Sequence, residues 1–205
     1  MGMTKLEKFA KNVIYKNLYE NGYVTYAKLF YDYDFNFTND PNTVAYMAPS
    51  EGKIVVNRGL DAAQISVVVR HEILHFYLQH EKRLLNKLAK DRNLDPDKLD
   101  DLTLNELKRY LYGDSTFNIA ADYEISNRAY TDDDKYQVRN INLNGNIVSG
   151  LVTEDQHPDW LELSVEEMFD KLREQPDLEE SDEVYGVFVD DTTFIQLPGG
   201  VTYGI

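Results

Sequence analysis

Residues 61–80 read DAAQISVVVRHEILHFYLQH and predict the strongest helix of the chain. Asp61 followed by Gln64 is the pattern of a capping box, in which two side chains satisfy backbone N–H groups where a helix begins. The residues that follow are apolar on more than one face, which is typical of a buried helix. We expect this helix to run unbroken to Lys90. Its polar residues at positions 71, 72 and 75 need partners, because an unpaired polar group is costly to bury.

These polar residues form the motif His71-Glu72-Ile73-Leu74-His75, or HExxH. Positions four apart lie about 40° from each other around a helix axis, so both imidazoles project from one face and can converge on one metal ion. Zinc binds such nitrogen ligands at about 2.0–2.1 Å and lowers the pKa of a bound water to about 7. Glu72 lies about 60° from His75, close enough to take that water's proton without being a ligand. We therefore predict a Zn²⁺ site with Glu72 as its catalytic base.

A zinc site of this kind takes a third protein ligand. Residues 117–128, FNIAADYEISNR, carry two acids on a predicted helix. Asp122 has apolar neighbours on its helix face, and an acid in that environment needs a partner, which a metal ion supplies. Glu124 stands four residues before Arg128, the usual arrangement of an ion pair on a solvent-exposed face. Asp122 is therefore the predicted third ligand.

Other assignments of the third ligand stay open. His157 is the first alternative, and Glu124 and His80 follow it. His80 comes five residues after His75, about 140° around the axis, so a straight helix turns it away from the metal and toward the surface. Asp122 could also act behind the ligands, by accepting a hydrogen bond from a metal-binding histidine.

The chain before the HExxH helix predicts one helix and several short strands. Residues 4–20 have the apolar spacing of a helix, which we expect to end at Gly22. The aromatic-rich residues 23–39 predict irregular strand and loop. Residues 43–47, TVAYM, and 53–57, KIVVN, flank the turn residues APSEG and predict a β-hairpin.

Beyond the HExxH helix, short helices alternate with polar connections. The predicted elements are a surface connection at 89–103, a helix at 104–111, a helix from Asp114 or Ser115 to about Arg128, a solvated turn at 131–135, mixed loop and strand at 136–160, and a helix capped by Ser164 and Glu167. After Arg173 the chain has eight acidic residues and no basic one, and it ends in an apolar stretch that could form a hairpin or bind a protein partner. We predict a domain over residues 1–173 and an acidic tail over 174–205, disordered in its first part.

Composition limits the classes of function. The formal net charge of −15 disfavours binding to nucleic acid and to anionic membranes. The chain has no cysteine, which excludes disulfides, thiolate metal sites and cysteine nucleophiles. Its first residues lack the apolar core of a signal peptide, and no stretch has the length of a membrane span. We expect a cytoplasmic protein.

Two stretches together, HEILHFYLQH and FNIAADYEISN, resemble the zincin-like metallopeptidase domain that often precedes a von Willebrand A-like domain in bacterial proteins and has stand-alone relatives in phages. That family shows HExxH with a nearby His, an Asn-x-Ala-x-Asp helix, a small-residue region and an S-x-E-E helix. The corresponding parts here are His71–His80, Asn118–Asp122, Gly150–Glu154 and Ser164–Phe169. The resemblance covers residues 20–173, and the chain departs from it by lacking a von Willebrand A-like domain.

The resemblance implies an α+β, zincin-like fold, in which a small mixed sheet packs on the HExxH helix with further helices around it. It supports Asp122 as a ligand and implies peptide hydrolysis, with the substrate antiparallel to an edge strand, either TVAYM or KIVVN. Tyr123, Asn118 and His157 are the candidates for the oxyanion donor or for hydrogen bonds behind the ligands. If a phage encodes the chain, the host cytoplasm is its compartment.

Two other functions fit the same residues. One is a zincin-fold binding or phage assembly protein with structural zinc and no turnover, which binds its partner through the aromatic N-terminal region or the apolar C-terminal end. The other is a zinc hydrolase that acts on a non-peptide bond. The expected partners are a peptide or protein substrate, with neither nucleic acid nor membrane.

Overall fold

Eight α-helices and a small mixed sheet in the described residues make the fold α+β, as the sequence predicts. The computed structural model describes residues 2–41, 43–49, 51–111, 116–143, 145–148, 152–153, 157–174, 194–196 and 202–204. The α-helices in these ranges are α1 (Lys5–Glu20), α2 (Val24–Asp32), α3 (Ala62–Tyr77), α4 (His80–Asp91), α5 (Asp101–Leu111), α6 (Thr116–Ala129), α7 (Asp132–Val138) and α8 (Val165–Arg173). The strands are β1 (Asp34–Thr38), β2 (Ala45–Ala48), β3 (Lys53–Asn57), β4 (Ile141–Leu143), β5 (Asn146–Val148), β6 (Phe194–Gln196) and β7 (Thr202–Gly204). Short 3₁₀-helices cover Pro96–Lys98 and Pro158–Trp160.

A three-stranded mixed sheet packs against α3, the helix that carries the HExxH motif. β3 is the central strand, parallel to β1 and antiparallel to β2. The predicted hairpin is confirmed, since Met47 of β2 pairs with Ile54 of β3. The KIVVN segment forms β3, which is the central strand, so the prediction of KIVVN as an edge strand is wrong. The edges of this sheet are β1 and β2, and only the TVAYM segment remains as the predicted substrate edge.

Two apolar cores meet near α3 and α6. The first core contains side chains from α1, α2, the sheet and the first half of α3, with Phe30 and Phe35 fully buried. The second core contains side chains from α4, α5, α6 and α8, with Phe117 and Phe169 at its centre. Helix α3 contacts α6 directly. Polar side chains on their facing surfaces are therefore enclosed by apolar structure on both sides.

The prediction of irregular strand and loop for residues 23–39 is wrong in its first half, because α2 occupies Val24–Asp32. This helix buries Ala27 and Phe30, three positions apart, and packs on α1 and α3. The density of aromatic residues hides this helical spacing, and burial against two helices outweighs their preference for strands. The second half is strand, as predicted, and forms β1.

The prediction of a solvated turn at residues 131–135 is right in that residues 131–133 are exposed, but it is wrong in that the segment begins a helix and buries Asp134. Thr131 and Asp134 form a capping box that begins α7. Asp134 is buried and pairs with the buried Arg70 of α3, whose guanidinium lies 4.0 Å from the centre of the Tyr23 ring. Arg70 needs this partner, because a buried charge is stable only when it is paired. Arg70 is distant in sequence, so the local pattern of residues 131–135 gives no sign that Asp134 pairs with it and becomes buried.

The long helix predicted to run unbroken to Lys90 is divided in two, and the break lies at Leu78 and Gln79. Gln79 has φ 53° and ψ 41°, the left-handed conformation. Its N–H still bonds to Phe76 O at 3.1 Å, and its carbonyl oxygen accepts the Arg83 N–H of α4 at 2.9 Å. Neither glycine nor proline marks the break, so the local sequence does not signal it. The direction of α4 therefore differs from that of α3, and His80 is its first residue.

Other predicted elements agree with the structure to within a few residues. Helix α1 ends before Gly22, whose φ of 86° only glycine adopts readily. Helix α5 begins at Asp101, three positions before the predicted start at 104. Ser164 and Glu167 form the predicted capping box of α8. The predicted caps Asp114 and Ser115 lie outside the described residues.

The C-terminal predictions are only partly open to comparison. The short strands β6 and β7 pair antiparallel, so the apolar end includes the hairpin that its sequence favours. The acidic stretch at 175–193 and most of the small-residue region at 150–154 lie outside the described residues. The division into a domain at 1–173 and a tail stays a prediction. Among the helices in the described ranges, none has both the length and the apolar character needed to cross a membrane.

We expect the effect of a substitution at Gln79 on stability to depend on how well the new residue adopts the left-handed conformation. A non-glycine residue in this conformation costs about 1–2 kcal/mol, partly offset in Gln79→Gly by the larger entropy of the unfolded chain. Gln79→Gly should thus leave the free energy of unfolding unchanged or raise it by up to about 1 kcal/mol. Gln79→Val should lower it by about 1–2 kcal/mol, because β-branched residues fit this conformation poorly.

Urea unfolding followed by circular dichroism measures both changes. Asn93→Gly is the matched control, because Asn93 has φ 58° and asparagine tolerates that conformation. Destabilisation by Gln79→Gly of about 1 kcal/mol, as in the middle of a helix, would contradict the break.

Candidate metal centre

Three buried side chains converge where α3 meets α6. His71 Nε2 lies 2.9 Å from Asp122 Oδ1, and His75 Nε2 lies 3.1 Å from the same oxygen. The two Nε2 atoms are 2.9 Å apart. All three side chains are at most 3% exposed. The structure therefore brings together the three residues that the sequence predicts as metal ligands.

The geometry of this group fits a metal ion. A point about 2.0–2.1 Å from all three atoms exists above a triangle of this size, and that is the distance at which zinc binds nitrogen and oxygen. Asp122 Oδ2 has no hydrogen-bond partner among the described residues. If both imidazoles carry their proton on Nδ1, three lone pairs face one another, and a cation between them stabilises that arrangement. His71, His75 and Asp122 could thus hold a metal ion, and zinc stays the predicted one.

The protonation states of Asp122 and His75 suit this role, whereas the pKa of His71 is raised: burial alone would lower it, but the charge of Asp122 and the hydrogen bond between the two groups outweigh burial. A metal ion would displace the proton of the His71 ring. Burial alone would raise the pKa of Asp122, but the nearby His71 and hydrogen bonds to both histidines lower it below its ordinary value. Burial lowers the pKa of His75 to about 3, so its ring is neutral at physiological pH. Metal ligands of these types bind as a carboxylate and as a neutral imidazole.

Glu72 lies between the ligand group and strand β2. It is 2% exposed, and the backbone N–H of Met47 in β2 lies near its carboxylate and acts to lower its pKa. Its Oε2 atom has no partner among the described residues. Burial raises the pKa of Glu72 to about 8, and the negative charge of Asp122 adds to the rise. A raised pKa makes the carboxylate a stronger base, and a nearby cation would lower that pKa again.

The expectation that His80 turns away toward the surface is wrong. It is 1% exposed, and its Nδ1 lies 3.1 Å from His75 Nδ1. The helix break at Gln79 is the physical reason, because the expectation assumed a straight helix. His80 nevertheless contacts the Nδ1 edge of the His75 ring, on the side away from the ligand group. It is not a member of that group.

The expectation that Glu124 faces solvent is also wrong. It pairs with Arg128 at 3.0 Å, as predicted, but its own side chain is fully buried. Its other partners are His80 at 2.9 Å and Arg83 at 2.6 Å. These come from α4, whose position the sequence of α6 does not reveal. Glu124, like His80, stands outside the ligand group.

The remaining candidates take different positions. The His157 ring stacks on Trp160 with 3.7 Å between ring centres, and Tyr123 packs against both rings in the second core. The alternative of His157 as third ligand therefore has no support from this geometry. Asn118 lies one turn before Asp122 on α6, is buried, and its Oδ1 has no partner among the described residues.

Sequence reasoning missed Tyr130. Its Oη lies 2.7 Å from His71 Nδ1, so it can accept the proton that a metal-binding imidazole carries on that nitrogen. The chain has 15 tyrosines, and no local pattern distinguishes this one. The only available signal was its place just beyond α6, two helical turns after Asp122.

No protein family, curated protein or solved structure matches this chain. The resemblance to the zincin-like metallopeptidase domain therefore stays a prediction from the motifs. The geometry of the ligand group does not depend on that resemblance, because the side chains of His71, His75 and Asp122 converge in the structure itself.

Metal analysis of substituted proteins tests the ligand group. Wild-type protein should hold about one zinc ion per chain, and His71→Ala or His75→Ala should abolish stable binding. Asp122→Asn keeps the shape but removes the charge, and should weaken zinc binding by more than about 100-fold, beyond the usual loss for an outer hydrogen bond. Competition with a chromophoric chelator measures these affinities.

His157→Ala is the matched control, because it removes a histidine outside the ligand group and should keep wild-type affinity. Full zinc affinity in Asp122→Asn would show that Asp122 is not a ligand.

Proposed function

We propose that the protein is a zinc-dependent metallopeptidase with a zincin-like fold. The observation that carries the proposal is the buried group of His71, His75 and Asp122, with Glu72 beside His71 on α3. Two imidazoles, a carboxylate ligand and a separate carboxylate base are the parts that metal-assisted hydrolysis requires.

Each residue has a role that its position supports. When bound, zinc would lower the pKa of a water and polarise the carbonyl group that the water attacks. Glu72 accepts the proton of the attacking water on its unpartnered oxygen and then passes it to the amine nitrogen that leaves. Burial raises the pKa of Glu72, and a bound cation would lower it again, so that Glu72 is an ionised carboxylate when it takes the proton.

Strand β2 supports a peptide as the substrate. Ala45 pairs with Val56, and the flanking hydrogen bond runs from Asn57 N to Val44 O at 2.8 Å. In an antiparallel ladder this pattern makes Ala45 and Met47 the positions whose backbone groups point away from β3. The outward N–H of Met47 reaches Glu72. An extended peptide that pairs with this edge of β2 would therefore pass beside the proposed base, and main-chain pairing requires no particular side chain.

Glu72→Gln separates catalysis from metal binding. The amide cannot take a proton from water, so peptide cleavage should fall by at least about 100-fold. Zinc content should stay at the wild-type value, because Glu72 is not in the ligand group. Mass spectrometry of a peptide library incubated with each protein measures the appearance of new termini. Glu162→Gln, an exposed position, is the matched control and should cleave like wild type.

Equal cleavage by wild type and Glu72→Gln would contradict the proposal. A wild-type protein that holds zinc but cleaves no peptide, and whose biological effect survives Glu72→Gln, would favour the binding protein with structural zinc. Cleavage of esters or other non-peptide bonds alone would favour the third function.

A further inference from the structure

A buried line of hydrogen bonds begins behind His75, on the side away from the ligand group. His75 Nδ1 lies 3.1 Å from His80 Nδ1, and His80 Nε2 lies 2.9 Å from Glu124 Oε2. The exposed fractions of these three side chains are 3%, 1% and 0%. The proposed reaction uses His75 but neither His80 nor Glu124, so the burial of these two polar side chains needs a separate explanation.

The far end of the line is fixed as a negative charge. Glu124 accepts hydrogen bonds from Arg83 at 2.6 Å and from the Val165 backbone N–H at 3.3 Å, and Arg128 lies 3.0 Å away. Arg83 also donates to Glu166 of α8 at 2.6 Å, which ties the line to the protein surface. A carboxylate between two guanidinium groups can only accept hydrogen bonds.

This charge determines where the protons of both histidines lie. Glu124 can only accept, so the neutral His80 ring carries its proton on Nε2 and donates it to this carboxylate. The Nδ1 atom of His80 is then an acceptor, so the proton between the two rings belongs to His75 Nδ1. The Nε2 atom of His75 then carries no proton, and it lies 2.9 Å from His71 Nε2 and 3.1 Å from Asp122 Oδ1.

We propose that His80 and Glu124 are positioning residues, which fix the tautomer and the ring orientation of His75 so that its Nε2 binds the metal ion. This inference rests on the metal site of the proposed function and adds a role for two residues outside the ligand group. Outer hydrogen bonds of this kind orient ligands and raise their basicity. The left-handed Gln79 makes the arrangement possible, because the new direction of α4 lets His80 and Arg83, three positions apart, both reach Glu124.

Two substitutions of His80 test its two hydrogen bonds separately, because each removes one bond and keeps the other. In His80→Asn the side-chain oxygen takes the place of Nδ1 and can still accept from His75, but the contact with Glu124 is lost. In His80→Gln the longer side chain reaches Glu124, but the acceptor beside His75 is lost. We expect His80→Gln to weaken zinc binding by about 10–100-fold, and His80→Asn to bind about tenfold more tightly than His80→Gln.

Nitrogen-15 NMR of the four imidazoles gives a second readout that needs no activity. In metal-free wild type, His75 should show the tautomer with its proton on Nδ1, and that population should fall in His80→Gln while His80→Asn keeps it. Arg83→Gln, at a partly exposed position, leaves the core packed and should shift the tautomer in the same direction by a smaller amount. That variant carries the test if His80→Gln does not fold.

The outcomes separate this inference from the proposed function. Wild-type protein without zinc affinity overturns the metal site, whatever the tautomer. Zinc binding by wild type with equal affinity in His80→Gln and His80→Asn overturns the positioning role. A loss beyond about 1,000-fold in both variants, with altered absorption bands of the Co²⁺-substituted protein, makes His80 a ligand and also overturns it. His157→Ala, which removes a histidine outside this line, should match wild type in both measurements.

Discussion

Asp122 imposes the constraint on which the rest of the structure depends. Its carboxylate is fully buried between two apolar cores, and an unpaired charge in such a place would destabilise the fold by several kcal/mol. Its nearest polar neighbours are the Nε2 atoms of His71 and His75, which lie one turn apart on α3, and a cation held by all three would supply its counter-charge. Helices α3 and α6 must therefore pack with these side chains in register, and the two cores form on either side of that contact.

The same requirement extends outward from the two histidines. Each imidazole that points its Nε2 toward Asp122 has its Nδ1 on the opposite side, where this buried nitrogen needs a hydrogen-bond partner. Tyr130 meets His71 from the end of α6, and His80 meets His75 from the start of α4. The left-handed conformation of Gln79 is unfavourable by itself. The contacts that His80 and Arg83 make with Glu124 offset that cost. Local backbone geometry, ion pairing and the candidate metal centre are thus parts of one arrangement.

Much of this could be predicted, because the decisive signals are local. The HExxH spacing places two imidazoles on one helix face, and the apolar neighbours of Asp122 indicate a buried acid. Capping boxes at Asp61 and Ser164 mark where helices begin. The β2–β3 hairpin follows from two strand patterns around a turn.

The features that the sequence did not reveal depend on distant partners. Asp134 joins a helix because Arg70, 64 positions away, needs a counter-charge. Glu124 is buried because Arg83 comes from another helix, and the parallel pairing of β1 with β3 has no signal in either strand. The break at Gln79 carries neither glycine nor proline, so the position of His80 was missed. Each of these is a tertiary contact that outweighs a local preference.

X-ray absorption at the zinc edge of the natively purified protein reports the metal and its ligands together, and it is therefore the decisive measurement. We expect a zinc ion with two imidazole nitrogens and oxygen ligands at about 2.0–2.1 Å. Protein that holds no zinc, or a zinc ion with three imidazole ligands and no carboxylate, would contradict this expectation.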